Sequence, residues 1–124
     1  MAVILHLLQA VDWAQLGRTD VVTNASLDTE GFIHCTDDHN VLLQVANAFY
    51  TAYEGGFVVI SIDTTLLDSA CVWEAPAHLG QSDAHPPAAA LFPHVYGPIN
   101  CSAVINVEGL QRNSAGRFTG FVSR

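Results

Sequence analysis

The sequence predicts an α+β domain with a small, mainly antiparallel sheet and one principal helix. Three observations carry this. Five or six short apolar or β-branched runs are separated by turn residues. Only one stretch has the sustained three-and-four spacing of apolar residues that marks an amphipathic helix. Half of the 124 residues are hydrophobic and 13% are charged, a balance that excludes intrinsic disorder. The length predicts a single domain over residues 1–124 that buries about two-thirds of its unfolded surface.

The elements follow in order. Residues 3–8 read as a buried strand broken by His6, with Leu5 and Leu7 on the face opposite the histidine. Asp12 opens a short helical turn that Gly17 closes, and Trp13 packs that turn onto the sheet. Residues 18–27 are polar, with Asn24 and Ser26, and read as an irregular connection. Gly31 permits a backbone bend before the strand-like run Phe32-Ile33-His34-Cys35. Thr36-Asp37-Asp38 then supplies an N-cap and negative charge at a helix start. Val41, Leu42, Val45, Ala46, Phe49, Ala52 and Tyr53 form the apolar face of that helix, which Gly55-Gly56 ends.

Residues 57–62 are continuously apolar and too few for a helix, which predicts a central strand. A capped single helical turn at 63–67 leads to a strand at 71–74 that ends on Glu74. Residues 75–91 hold Pro76, Gly80, Pro86, Pro87 and three consecutive alanines, and read as a long insertion loop and candidate lid. The run at 92–98 follows. Strands at 103–107 and 117–122, separated by Asn113-Ser114 and Gly116, complete the set.

Charge narrows the range of partners. The net charge is −8, there is no lysine, and the only cations are Arg18, Arg112, Arg117 and Arg124. Proteins that grip nucleic acid or an anionic membrane surface do so with clusters of Lys and Arg, so neither partner is expected. No run approaches the roughly 18 apolar residues of a membrane span. Residues 1–11 lack the basic start of a signal peptide and are interrupted by His6. Cys35, Cys71 and Cys101 are odd in number and widely spaced, which argues against a disulfide framework. The expectation is a cytoplasmic protein whose partner is a small molecule, with a homodimer compatible with the composition.

Polar residues inside apolar runs are the ones that need a reason, because burial of an unpaired polar group is costly. By that test His6, His34, Glu74 and His94 are the candidate catalytic groups. Imidazole titrates near neutral pH, so His34 or His94 suits a proton shuttle. Glu74, beside Trp73 in a half-apolar setting, is expected to have its pKa raised by desolvation and to orient or activate. His94 sits in Phe92-Pro93-His94-Val95-Tyr96-Gly97-Pro98, where two prolines and a glycine fix the path. Trp13, Arg18, Thr36, Phe92 and Tyr96 are the candidate ligand-binding residues. The histidines lack metal-ligand spacing on any one element, and no Gly-rich phosphate loop exists. Neither a metal nor a cofactor is assigned.

His6, Trp13, Gly31-Phe32-Ile33-His34-Cys35-Thr36, Trp73-Glu74 and the Phe92 to Pro98 run together resemble a bacterial family catalogued as domain of unknown function 952, over nearly the whole chain. The resemblance implies a fold of the ADP-ribosyltransferase type, with two small antiparallel sheets forming a split sheet around a cleft. In that wider fold a first-strand histidine holds the NAD ribose, a tyrosine stacks on nicotinamide and a glutamate contacts the reacting ribose. The matching positions here are His6, Tyr96 and Glu74, the last two in reversed chain order.

Three function classes follow. One is a cleft enzyme using histidine and glutamate acid–base or transfer chemistry on a small neutral or weakly polar substrate. Another is NAD-dependent ADP-ribosyl transfer, and the third a non-catalytic binding module or accessory partner. Scarcity of arginine weighs against NAD, whose pyrophosphate carries two negative charges.

Overall fold

A computed structural model of the chain describes residues 2–75 and 91–123. Residues 76–90, nearly all of the predicted insertion and lid, lie outside them. The elements are β1 (Val3–Gln9), α1 (Ala10–Ala14), β2 (Val21–Val22), α2 (Ala25–Thr29), β3 (Ile33–His34), α3 (His39–Phe49), β4 (Phe57–Asp63), β5 (Ala70–Glu74), β6 (Phe92–Tyr96), β7 (Ile99–Asn100), β8 (Val104–Arg112) and β9 (Phe118–Ser123). Single 3-10 turns at Thr64–Leu66 and Cys101–Ala103 precede β5 and β8. No helix among the described residues is long and apolar enough to cross a membrane.

The result is a small α+β fold whose strand pairs, among the described residues, are all antiparallel. A four-stranded sheet runs β1-β4-β8-β9, a three-stranded sheet runs β3-β6-β5, and β2 pairs with β7. All seven residues of β4 are buried, as expected of a continuous apolar strand with both faces covered. Alternation along β1 and β4 divides the core in two. Ile4, Ile60 and Ile62 pack with Ile33 and Val95 of the three-stranded sheet, and with Val22, Ile99 and Cys101. On the other face, Leu5 and Val59 meet Leu42 of α3, while Phe57 meets Ala46 and Phe118.

Backbone bonds between Leu5 and Thr36, 2.6 and 3.0 Å, stitch the segment after β3 onto the edge of β1. This tie sets the distance between the two sheets at the point where the candidate site lies.

Helix α3 forms as its sequence predicts, with Asp38 as N-cap accepting from Asn40 N and Val41 N. It stops at Phe49, short of the expected Tyr53. Helix α1 begins before Asp12, with Gln9 at its N-cap and Asp12 in its first turn. The supposed irregular connection at 18–27 contains β2 and α2. Its polar residues are a cap rather than a loop, since Asn24 Oδ1 accepts from Ser26 N at 2.9 Å. Gly31, at φ +89°, ends α2 in the left-handed region and turns the chain toward β3. Strand β8 runs to Arg112, well beyond the expected residue 107, because its second half, from Glu108 to Arg112, pairs with β9.

Candidate active site

The three-stranded sheet supplies most of the site through its register. His34 on β3 lies opposite His94 on β6, and His94 lies opposite Val72 on β5. Side chains of one parity share a face, so His34, His94, Phe92, Tyr96 and Glu74 rise from one side of the sheet. Ile33, Val95 and Cys71 face the core on the other. The rings of His34 and His94 are 5.6 Å apart, edge to face.

His94 is 2% exposed. Its Nδ1 donates to Glu74 Oε1 at 2.8 Å, and Phe32 stacks on its ring at 4.1 Å with 20° between planes. The Tyr96 hydroxyl donates to the same Glu74 oxygen at 2.5 Å. Glu74 therefore lies below the usual carboxylate range, held there first by the Tyr96 hydroxyl and then by His94. This corrects the expectation of a raised value: Trp73 stands on the opposite face of β5 from Glu74, and two donors stabilise the charge where desolvation was expected to oppose it. The same bond raises the Tyr96 pKa and keeps its proton in place.

His6, on β1, is 4% exposed. Its Nδ1 donates to the His34 carbonyl at 2.9 Å. Burial lowers its pKa, the carbonyl bond partly offsets this, and the nearby His34 lowers it further. The Nε2 atoms of His6 and His94 are both buried and have no hydrogen-bond partner among the described residues.

Both histidines are among the residues that line one cavity of about 410 Å³. Leu5 and Leu7 of β1 with Val41, Leu42, Val45 and Phe49 of α3 make an apolar wall, and Thr36, His34 and Phe92 complete the predicted contribution. The His34 Nε2 meets Glu30 Oε2 at 2.9 Å at the half-exposed rim. Four of the nine predicted residues lie elsewhere. Glu74 and Tyr96 act from behind His94 and do not line the cavity. Trp13 packs against the core cluster, and Arg18 is exposed in the turn after α1. Cys35 lines the cavity, but burial first and Cys71 second push its thiol up, so it remains protonated and poorly nucleophilic. Among the described residues, no three His, Cys, Asp or Glu side chains come together to hold a metal ion.

A family model described as "Protein of unknown function (DUF952)" matches residues 7–107. The chain belongs to this family. Among solved structures, this DUF952 chain is similar to protein CC0527 from Caulobacter crescentus, at 20% identity and a TM-score of 0.72 over 95% of this chain and 94% of that one. A double mutant of the same Caulobacter protein matches at 19% identity and a TM-score of 0.71, with the same coverage. No curated protein matches the chain. At these identities the likeness is one of fold.

Sequence reasoning missed Glu30, Asn24, Ser26, Phe32 and the α3 side chains as site residues. Phe32 carried a usable signal: two positions before His34 on an extended run, it shares that histidine's face. The α3 residues looked like ordinary core, and only the β1–α3 packing shows that Val41, Val45 and Phe49 border a cavity.

Proposed function

We propose that this DUF952 protein is an acid–base catalyst for a small, neutral, largely apolar molecule held between α3, β1 and the three-stranded sheet. The observation that carries this reading is the Glu74–His94 pair, with His94 Nε2 buried and unpartnered in the wall of a ligand-sized cavity. An ionised Glu74 fixes the Nδ1–H tautomer and leaves Nε2 to take a proton from the bound molecule. The ligand's X–H bond breaks, an N–H bond forms at Nε2, and the resulting imidazolium is balanced by Glu74 2.8 Å away. Cavity size and the absence of a cation from its lining among the described residues favour a compact uncharged substrate.

The test is a neutral probe that needs only a base: a nitrobenzisoxazole, whose ring opens when its C–H proton is removed. Saturable opening should fall about a hundredfold or more in His94→Ala. Equal rates in the two proteins would refute the catalytic reading, and binding without any opening would support a non-catalytic module.

An ADP-ribosyltransferase-like cleft that takes NAD is the second reading. It is favoured by the position of His6 on the first strand and in the cavity wall. Charge opposes it. Among the described residues no arginine lines the cavity, Arg112 is committed to the Thr51 and Tyr53 carbonyls, and Glu30 adds a negative charge at the rim. Heat on calorimetric titration with NAD or ADP-ribose would favour this reading, and none would remove it.

A further inference from the structure

The geometry points to His6 as the group that selects the ligand: its Nε2 admits a neutral molecule with a polar hydrogen on an apolar body and turns away carboxylates and donorless analogues. This rests on the cavity of the preceding section and names its ligand class. Two buried histidines are among the residues that line that cavity, and the partners of their rings give them different work.

A carbonyl oxygen can only accept, so the bond from His6 Nδ1 to the His34 carbonyl requires the proton on Nδ1. Burial keeps the ring neutral. Its Nε2 is then a bare lone pair, buried and unpartnered. Among the described residues no carboxylate bonds to the His6 ring, so a proton taken up at Nε2 would create a buried cation without a counter-charge. His94, backed by Glu74, does not have this problem. His94 is thus suited to moving a proton and His6 to receiving a hydrogen bond.

The surroundings define the remainder of the ligand. Leu5, Leu7, Val41 and Val45 line the same cavity as His6, Leu5 and Leu7 from the other face of β1, so the body that fills the space is apolar. A carboxylate would set its own lone pairs against Nε2 in a cavity that Glu30 also lines, with no cation in the lining among the described residues. An ether of the same shape would bury Nε2 without a partner, and a site built around a hydrogen bond discriminates strongly against an analogue that lacks it.

Phenol, anisole and benzoate are matched probes. Calorimetric titration should show phenol binding about tenfold more tightly than anisole, with no heat from benzoate. The preference should disappear in His6→Leu and persist in His94→Ala. Because His6→Leu could fail to fold, the side-chain ¹⁵N resonance of His6 Nε2 in the unmodified protein is followed as well, and phenol should move it. Equal affinities for phenol and anisole, tight benzoate binding, a preference that survives His6→Leu, or an unmoved His6 resonance would each overturn the assignment. If benzisoxazole opening still depended on His94 in that event, the catalytic reading would stand without this one. A preserved phenol preference with no opening would mean the reverse.

Discussion

Glu74 and His94 meet diagonally across the β5–β6 ladder. Glu74 is paired with Phe92 and His94 with Val72, yet the carboxylate reaches His94 Nδ1 at 2.8 Å. Residues two apart on facing strands share a face and lie within reach of long side chains. The dyad is therefore a consequence of register, and a one-residue slip would send both groups to opposite sides of the sheet.

Glu74→Gln tests the carboxylate. The folded pKa of Glu74 is depressed, so its contribution to stability is present above the ordinary carboxylate value of about 4.3 and is lost as pH falls through the lower folded value. Thermal melts should show the variant below the unmodified protein at neutral pH, with the gap closing in strong acid. Benzisoxazole opening at neutral pH should fall by about tenfold or more, because the ring loses its orienting anion.

His6 gives stability the opposite of what a paired histidine would. Its folded pKa is depressed by burial, so below about 6.5 the unfolded chain takes up a proton that the folded protein refuses, and stability falls. Urea midpoints at neutral pH and at about pH 5 should differ more in the unmodified protein than in His6→Leu.

Gly97 sits against Ser69, where an added Cβ would collide with the serine Oγ and Cβ, and Ser69 Oγ is already bonded to the Pro98 carbonyl at 2.7 Å. Gly97→Ala should cost about 1–3 kcal/mol in chemical denaturation, the range for overpacking, and weaken phenol binding by shifting the end of β6.

Arg112 stabilises the fold from outside the site. Its guanidinium lies 4.2 Å from the Phe118 ring centroid and donates to the Tyr53 carbonyl at 2.7 Å and the Thr51 carbonyl at 3.3 Å. Arg112→Met should cost about 2 kcal/mol by urea denaturation. Arg112→Lys should not restore it, since a compact ammonium cannot bridge two carbonyls and stack at once.

Much of this was legible in the chain because the informative residues broke a pattern. His6, His34 and His94 each interrupt an apolar run; strand register brings His34 and His94 to one face, and a bond to the His34 carbonyl ties His6 to them. What failed were inferences from neighbourhood along the chain. Trp73 precedes Glu74 but points away from it, whereas Tyr96, which fixes its charge, is 22 residues distant. Trp13 and Arg18 follow β1 directly, yet one enters the core and the other stays in solvent. The cap of α2 was hidden in a polar segment that composition alone reads as loop, and the cavity wall from α3 needed the tertiary packing.

If the two buried imidazoles share one tautomer and one cavity, side-chain ¹⁵N spectra of the histidines in mildly alkaline buffer, where imidazole is neutral, recorded with and without phenol, will show it. Both His6 and His94 should carry their proton on Nδ1 with Nε2 bare, and phenol should move both Nε2 resonances while leaving His39, bonded to Glu108 at 2.9 Å, unchanged. A proton on Nε2 of His94, or spectra that phenol does not alter, would contradict the account.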